Sequence, residues 1–498
     1  MPRFIDHFRT DKGKKLVLNY FLVFQIFLMF SFIFEKELFD YFVIILLLVY
    51  IAQSLIFIKQ LYLKSVKIPV FTVKAMFLTT VSLVVALAYS LWSLNKNPLW
   101  LVGFDVFLPF MVTLVVFIFQ PLSVLMRNTI LRKAKEKIQQ YPHLTVVAIV
   151  GSYGKTSTKE FLATILSKKY KVLTTKEHQN SEIGVANCVV RDLSKDHHIF
   201  IAEVGAYDKG KVKEVCSIIH PKIGIVTGVN EQHLALFGSM ENLLSAEGGI
   251  ELEESLPKNG MLILNGDNKY CLNLAKKTDK EKKIYSTKKN AVNADIFIED
   301  ISVAKDYITF ITNSKSGHLA NFKTNVLGSH NVENLLAAIL AAISLGMTME
   351  EVIDAVKNIK QEQGQMTLIK NSHSIEVIDS SYSSNPSGVL ADLEYLSHFN
   401  NKKVVVMPCL IELGGKSREI HEKIGEAIAK TCTIAIITTK DYFYALKAGA
   451  LKAGFDEKNI IFEERPDKIY YLLTTFLKEG DSVLLEGRVP DKLISLLE

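Results

Sequence analysis

The chain has 498 residues, a formal net charge of +6 and a hydrophobic fraction of 49%, more than one compact core usually holds, so two to four domains are expected. Its five cysteines are scattered without paired spacing, which argues against a zinc ribbon or a disulfide framework and fits a reducing compartment. Its basic excess flanks apolar stretches and does not interleave with aromatics, so lipid headgroups are the expected anionic neighbour and no nucleic acid is expected.

Four apolar stretches, at roughly residues 16–34, 39–58, 72–94 and 99–121, each approach the ~20 residues that cross a bilayer as a helix. The first has no small-residue cleavage site and is followed at once by the second, so it is expected to be retained and not removed as a signal peptide. Basic residues precede the first stretch (Arg3, Arg9, Lys12, Lys14, Lys15), separate the second from the third (Lys59, Lys64, Lys67) and follow the fourth (Arg127, Arg132, Lys133, Lys135, Lys137). The bias of such residues toward the cytoplasm places both termini there. Asp40, Lys74 and Asp105 are too few ionisable residues to suggest an ion pathway. Residues 1–125 therefore read as an all-α anchor of four transmembrane helices. Residues 126–143 read as a basic juxtamembrane linker, helical from Asn128 to Tyr141 and stopped before Pro142, either held on anionic lipid or simply solvated.

From Leu144 short β-branched strands alternate with amphipathic helices, the pattern of α/β units. A strand at Thr145–Val150 runs into Gly151-Ser152-Tyr153-Gly154-Lys155-Thr156-Ser157, followed by a helix predicted over 159–168. Glycines let backbone N–H groups approach phosphate oxygens, a helix N-terminus favours the anion, a lysine adds charge, and a threonine hydroxyl suits Mg²⁺. Gly151, Ser152, Gly154, Lys155, Thr156 and Ser157 are thus candidate nucleotide contacts. Only Ser152 and Tyr153 separate the two glycines, a shorter spacing than the usual phosphate loop.

That short loop resembles the loop of the Mur ligases, and further pieces follow in the family's order. They are Gln179-Asn180-Ser181-Glu182-Ile183-Gly184-Val185, Ile201-Ala202-Glu203-Val204-Gly205-Ala206, Asn230-Glu231-Gln232-His233, Asn265-Gly266-Asp267, Leu327-Gly328-Ser329-His330-Asn331-Val332-Glu333-Asn334, and Ser381-Tyr382-Ser383-Ser384-Asn385-Pro386. Ile411-Glu412-Leu413-Gly414 followed by His421 completes the set. Over about residues 144–498 the chain is similar to the branch that adds D-alanyl-D-alanine to UDP-N-acetylmuramoyl-tripeptide.

The resemblance implies an α/β body with a central P-loop ATPase domain at 144–364 and a Rossmann-like C-terminal domain at 365–498, with strands near 403–407, 433–438 and 482–485. It implies ATP and Mg²⁺ as cofactors, an envelope-precursor carboxylate phosphorylated by ATP, and an amino acid or dipeptide whose amine attacks the acyl phosphate. It also implies the bacterial cytoplasmic membrane as the site of action, with envelope-synthesis proteins as partners. In this family Lys155 corresponds to the phosphate lysine, Thr156 and Glu203 to Mg²⁺ ligands, His233 to a ligand of a second metal, and Asn334 to a residue near adenine. Glu247 falls where many members carbamylate a lysine, and a native carboxylate there is expected to serve as catalytic and metal-binding group. Read alone, Glu247 is equally an exposed glutamate beside Glu251, Glu253 and Glu254, and His233 a surface or core histidine.

Several positions depart from the family pattern. Gly364-Gln365 stands for Gly-Arg, Asp379-Ser380-Ser381-Tyr382 for Asp-Asp-Ser-Tyr, Cys409 for an acid, and Glu486-Gly487-Arg488 for a Lys-Gly start. On a strand, moving the acid by one position turns it to the other face. The anchor occupies the place of the domain that holds UDP. These departures leave open a polyglutamate-type ligase and a nucleotide-binding membrane scaffold of weak or no ligase activity. A transporter ATPase is disfavoured by the short loop and the apolar spans.

Overall fold

The computed structural model describes residues 36–62, 72–93, 96 and 99–497, except 177–178, 231–232, 292, 316, 318, 372–373, 383–384 and 412. These fall into two compact units, one ending at Thr129 and one running from Ile130 onward. The expected first span, the basic residues before it, and Lys64 and Lys67 lie outside the described residues, as do the side chains of Asp40 and Asp105.

In the N-terminal unit, helices span Lys36–Tyr62 and Val73–Ser93, and a third begins at Leu99. Tyr89 stacks on Phe104 at 4.6 Å and Phe77 meets Phe119 edge-on at 5.0 Å, which packs the second of these helices on the third. Leu55, Leu83, Leu87, Leu114 and Phe117 are exposed, an arrangement that costs free energy in water and none in hydrocarbon. Among the described residues two segments, Val73–Ser93 and Phe110–Gln139, are long and apolar enough to cross a membrane, and Leu47–Lys59 is a shorter apolar stretch.

The expected linker is not a separate segment. One helix runs from Leu99 to Gln139, and its last turns belong to the second unit. Ile130, Ala134 and Ile138, four residues apart and so on one helix face, pack into a core that includes Val146, Ala148 and Val150. Lys137 Nζ donates to the Val190 carbonyl at 2.9 Å. The charge run concealed this apolar stripe.

Among its described residues the second unit holds two sheets. The strands of the first are β1 (Thr145–Val150), β2 (Val172–Thr174), β3 (Ile199–Glu203), β4 (Ile223–Val226), β5 (Met261–Asn265), β6 (Glu281–Ser286), β7 (Ile296–Val303), β8 (Ile308–Ser314) and β9 (Leu319–Thr324). Their order is β2-β3-β1-β4-β5-β6-β7-β8-β9, parallel up to β7 and antiparallel beyond. Central strands are apolar throughout because both faces are covered. Along β1, Val147 and Ile149 enter one core while Val146, Ala148 and Val150 enter the other. Helices Lys155–Leu166 and His330–Ser344 pack together on the first face, the latter through an alanine-rich stretch at Ala337, Ala338, Ala341 and Ala342, all fully buried.

The second sheet contains β10 (Thr367–Lys370), β11 (Glu376–Ser380), β12 (Lys403–Met407), β13 (Ile434–Ile437), β14 (Ile460–Phe462) and β15 (Ser482–Glu486), in the order β10-β11-β15-β12-β13-β14. Only β10 is antiparallel. In each sheet the parallel strands place their carboxyl ends along one edge, where loops and helix N-termini gather and ligands bind in such folds. At the first edge β1 delivers Gly151, its neighbour β3 delivers Glu203, and β4 leads to Thr227. At the second, Ser380 and Glu486 are register partners at the ends of β11 and β15.

Candidate active site

The turn after β1 is fixed by contacts that only glycine permits. At Gly151, with φ +143°, a Cβ would lie 2.1 Å from Thr227 Oγ1, and at Gly154, with φ +73°, 2.2 Å from Asn334 Oδ1. Thr227 Oγ1 donates to the Tyr153 carbonyl at 2.5 Å, and Ser152 N to the Gly228 carbonyl at 2.8 Å. The loop ends in the helix Lys155–Leu166, capped by Gly154 with no side-chain hydrogen bond, so its first N–H groups are left for an anion. This helix begins four residues before the sequence expectation. Lys155 Nζ folds back 2.5 Å onto the Gly151 carbonyl.

Glu203, at the end of β3, is 6% exposed. Its Oε2 accepts from Thr156 Oγ1 at 3.0 Å and its Oε1 from Asn180 Nδ2 at 3.1 Å. Behind it lies Lys159, fully buried, with Nζ 2.9 Å from the Thr175 carbonyl and 3.5 Å from Glu203 Oε2. Nothing in the sequence pattern beyond its spacing from Lys155 marks this buried cation.

Glu247 is neither an exposed glutamate nor a side chain open to the cavity. It is 4% exposed, accepts from Ser152 Oγ at 2.6 Å through Oε2, and lies 2.8 Å from His233 Nδ1 through Oε1. Its two oxygens fix the Ser152 hydroxyl and one nitrogen of His233, which leaves the other nitrogen to the cavity. Thr156, Glu203 and His233 do line the cavity.

Asn334 is nearly buried, lies against Gly154, and donates from Nδ2 to Asn331 Oδ1 at 3.1 Å. It thus supports the loop. One residue earlier, Glu333 also faces the cavity; burial, and after it the charge of Asp267, push its carboxyl up to about 7. Asn265 Nδ2 donates to it, as does the Tyr153 hydroxyl at 3.5 Å.

The second sheet supplies the opposite wall of the same cavity, about 530 Å³ in volume, through Ser380, Tyr382, Asn385, Asp392 and Arg488. Asp379 turns away and, with Glu362, Thr367 and Ser381, lines a separate depression, as expected for strand neighbours. Ser380 Oγ instead donates to Asp392 Oδ2 at 2.5 Å. Asp392 was not expected from the sequence, yet a signal existed: it shares the apolar face of helix Pro386–Ser397 with Val389, Leu393 and Leu396, all buried. Gln365 has φ +63°, and its Nε2 is buried without a hydrogen-bond partner among the described residues.

The donors at the loop mouth fit Mg²⁺. A threonine hydroxyl and a carboxylate are hard oxygen ligands, and Mg²⁺ commonly takes one or two protein groups and completes its shell with water and phosphate.

Residues 149–342 match the Mur ligase middle domain, and residues 364–489 match the Mur ligase glutamate ligase domain. The chain belongs to the Mur ligase family. It is 31% identical to the UDP-N-acetylmuramoyl-tripeptide–D-alanyl-D-alanine ligase of Escherichia coli K12, over 58% of this chain and 63% of that protein. It is 25% identical to the Bacillus subtilis enzyme of the same name, over 71% and 75%. The chain thus spans less than two thirds of the length of the first relative. Among solved structures it shares a fold with MurF from Acinetobacter baumannii, with a TM-score of 0.67, 22% identity, and 74% and 80% of the two chains covered. MurF ligase from Thermotoga maritima in complex with ADP gives 0.64, 23%, 74% and 83%. In Mur ligase terms, both matched domains face the cavity, and of the residues that differ from the family pattern Gln365, Ser380 and Arg488 line it.

Proposed function

We propose that this chain is an ATP-dependent ligase that forms an amide bond through an acyl phosphate, acting on a cell-wall muropeptide or related envelope precursor at the bacterial cytoplasmic membrane. One observation carries the reading: the short phosphate loop, Glu203 and His233 share a single cavity with the C-terminal wall, so nucleotide, acceptor and amine have one place to meet.

In this reading the N–H groups of residues 153–156 and the Lys155 ammonium bind the phosphates of ATP, Lys155 leaving the Gly151 carbonyl to do so. Thr156 and Glu203 would hold Mg²⁺, and His233, fixed by Glu247, would face a second ion. Bound Mg²⁺ neutralises phosphate charge as it shifts in the transfer. The acceptor carboxylate attacks the terminal phosphorus, ADP leaves, and the amine nitrogen then attacks the acyl carbon. The C–N bond forms as the C–O bond to phosphate breaks. Placement of the reacting groups supplies much of the acceleration, since well-oriented partners gain effective molarities of about 10⁵ M or more.

The apolar helices Val73–Ser93 and Phe110–Gln139 favour a lipid-linked acceptor presented at the bilayer. D-Alanyl-D-alanine is the first amino component to test. Trapping with hydroxylamine is the direct experiment: ATP and UDP-linked or lipid-linked muramoyl-tripeptide should give a hydroxamate without any amine. If the chain binds ATP tightly and yields no hydroxamate with either acceptor, the ligase reading fails. Gln365, which leaves the cavity without the family's arginine, favours a nucleotide-binding scaffold as the second reading.

A further inference from the structure

Lys159 takes no part in the phosphate chemistry described above, and packing does not explain it. The side chain is fully buried and does not line the cavity, so a ligand there does not touch it. Burying an ammonium is costly unless it is paired, whereas an apolar side chain of similar volume packs in such a place without that cost. A lysine kept in this position implies a use for its charge.

That use follows from what surrounds the ammonium. Lys159 lies three residues after Thr156 on the helix Lys155–Leu166, so the two side chains share one helix face. Both come to Glu203 Oε2, Thr156 Oγ1 at 3.0 Å and Lys159 Nζ at 3.5 Å. The hydroxyl belongs to a residue of the cavity wall, the ammonium to the interior behind it. Thr175, also fully buried, ties the pair at both ends. Its carbonyl accepts from Lys159 Nζ at 2.9 Å, and its hydroxyl oxygen accepts from the Glu203 N–H at 3.0 Å. Glu160 Oε1 stands 3.2 Å from the same ammonium, but that side chain is 33% exposed against 8% for Glu203. Water and salt therefore screen the Glu160 contact more than the buried one.

We propose that Lys159 is a positioning residue for the divalent ion: braced on Thr175, it holds the Glu203 carboxylate from behind, turned to the cavity beside Thr156, and so sets how tightly Mg²⁺ joins the bound nucleotide. The proposal rests on the reading in which Thr156 and Glu203 hold Mg²⁺. Two lysines of one helix then divide the work, Lys155 binding phosphate and Lys159 aiming the carboxylate.

The test is Mn²⁺ affinity of the full chain in detergent, saturated with ADP, read from the electron paramagnetic resonance signal of free Mn²⁺. Calorimetric ADP affinity in EDTA is measured beside it. Lys159→Met removes the charge and keeps the reach of the side chain. It should weaken Mn²⁺ binding about 10- to 100-fold, as for other groups that orient a metal ligand, with metal-free ADP affinity within about twofold of the parent. Lys159→Met/Glu203→Gln should bind Mn²⁺ no more weakly than Glu203→Gln alone, because Lys159 acts through that carboxylate. Glu160→Gln should match the parent. Mn²⁺ affinity of Lys159→Met within about twofold of the parent, or equal losses of Mn²⁺ and metal-free ADP affinity, would overturn the proposal. If Lys159→Met is too unstable to bind metal-free ADP, the double variant decides, since it leaves neither charge of the pair alone. Mn²⁺ binding equal to that of Glu203→Gln upholds the proposal. Weaker binding, or a double variant that also fails to bind metal-free ADP, overturns it. Parental Mn²⁺ affinity in Glu203→Gln strikes the Mg²⁺ reading itself, whereas loss in Glu203→Gln without loss in Lys159→Met strikes the proposal alone.

Discussion

Replacing Glu247 by alanine tests whether a buried carboxylate positions His233. In the parent, Glu247 meets Ser152 Oγ at 2.6 Å and His233 Nδ1 at 2.8 Å while 4% exposed. Both are hydrogen bonds to a carboxylate, each worth about 1.5–3 kcal/mol. If only the His233 contact reaches the chemistry, that loss corresponds to about a 10- to 150-fold fall in turnover, at roughly 1.36 kcal/mol per decade. The size agrees with the about 10- to 100-fold usually lost when a carboxylate behind a metal-binding histidine is removed. Glu247→Gln keeps an acceptor for one partner and should fall between the two. The assay is phosphate release under saturating ATP and acceptor, with ADP affinity measured beside it to separate loop damage from loss of histidine placement. Turnover of Glu247→Ala within about twofold of the parent, with ADP affinity intact, would refute the reasoning.

Gly154→Ala should abolish tight ADP binding, since its Cβ meets Asn334 Oδ1 at 2.2 Å. Gly154→Ala/Asn334→Ala should regain only part, because about 1–2 kcal/mol of left-handed backbone strain remains; full recovery, or no loss in the single variant, would be contrary. Glu333, with its folded pKa near 7, stays protonated while its unfolded counterpart ionises. Its contribution to stability therefore falls between about pH 4.5 and 7, by about 3 kcal/mol in all; thermal melts should show that slope weakened in Glu333→Gln, and parallel curves would contradict it. The full chain should remain with membranes in alkaline carbonate and be released by detergent, whereas recovery in the carbonate supernatant would rule out spanning by Val73–Ser93 and Phe110–Gln139.

Local chemistry made the phosphate loop legible in the sequence, because a β-branched strand, paired glycines and Lys155-Thr156 have few other uses in that order. The strand at Lys403–Met407 was readable for the same reason, its run of valines fitting a buried parallel position. The end of the anchor was not, since Arg132, Lys133 and Lys135 suggested a wet linker while Ala134 and Ile138 were entering a core. Glu247 looked exposed because its partners, Ser152 and His233, are 95 and 14 residues away. Ser380 and Glu486 become neighbours only when β11 pairs with β15, a long-range register that no local period reveals. Ser380, read as a lost acid, gains meaning once Asp392 is seen beside it.

The most direct measurement of the central claim is mass spectrometry of muramoyl-tripeptide, UDP-linked and lipid-linked, incubated with the purified chain, ATP, Mg²⁺ and D-alanyl-D-alanine or single amino acids. The account predicts that one acceptor gains the mass of the amino component less water, with one phosphate released for each bond formed. Tight ATP binding with neither product nor acceptor-dependent phosphate, across all these combinations, would contradict it.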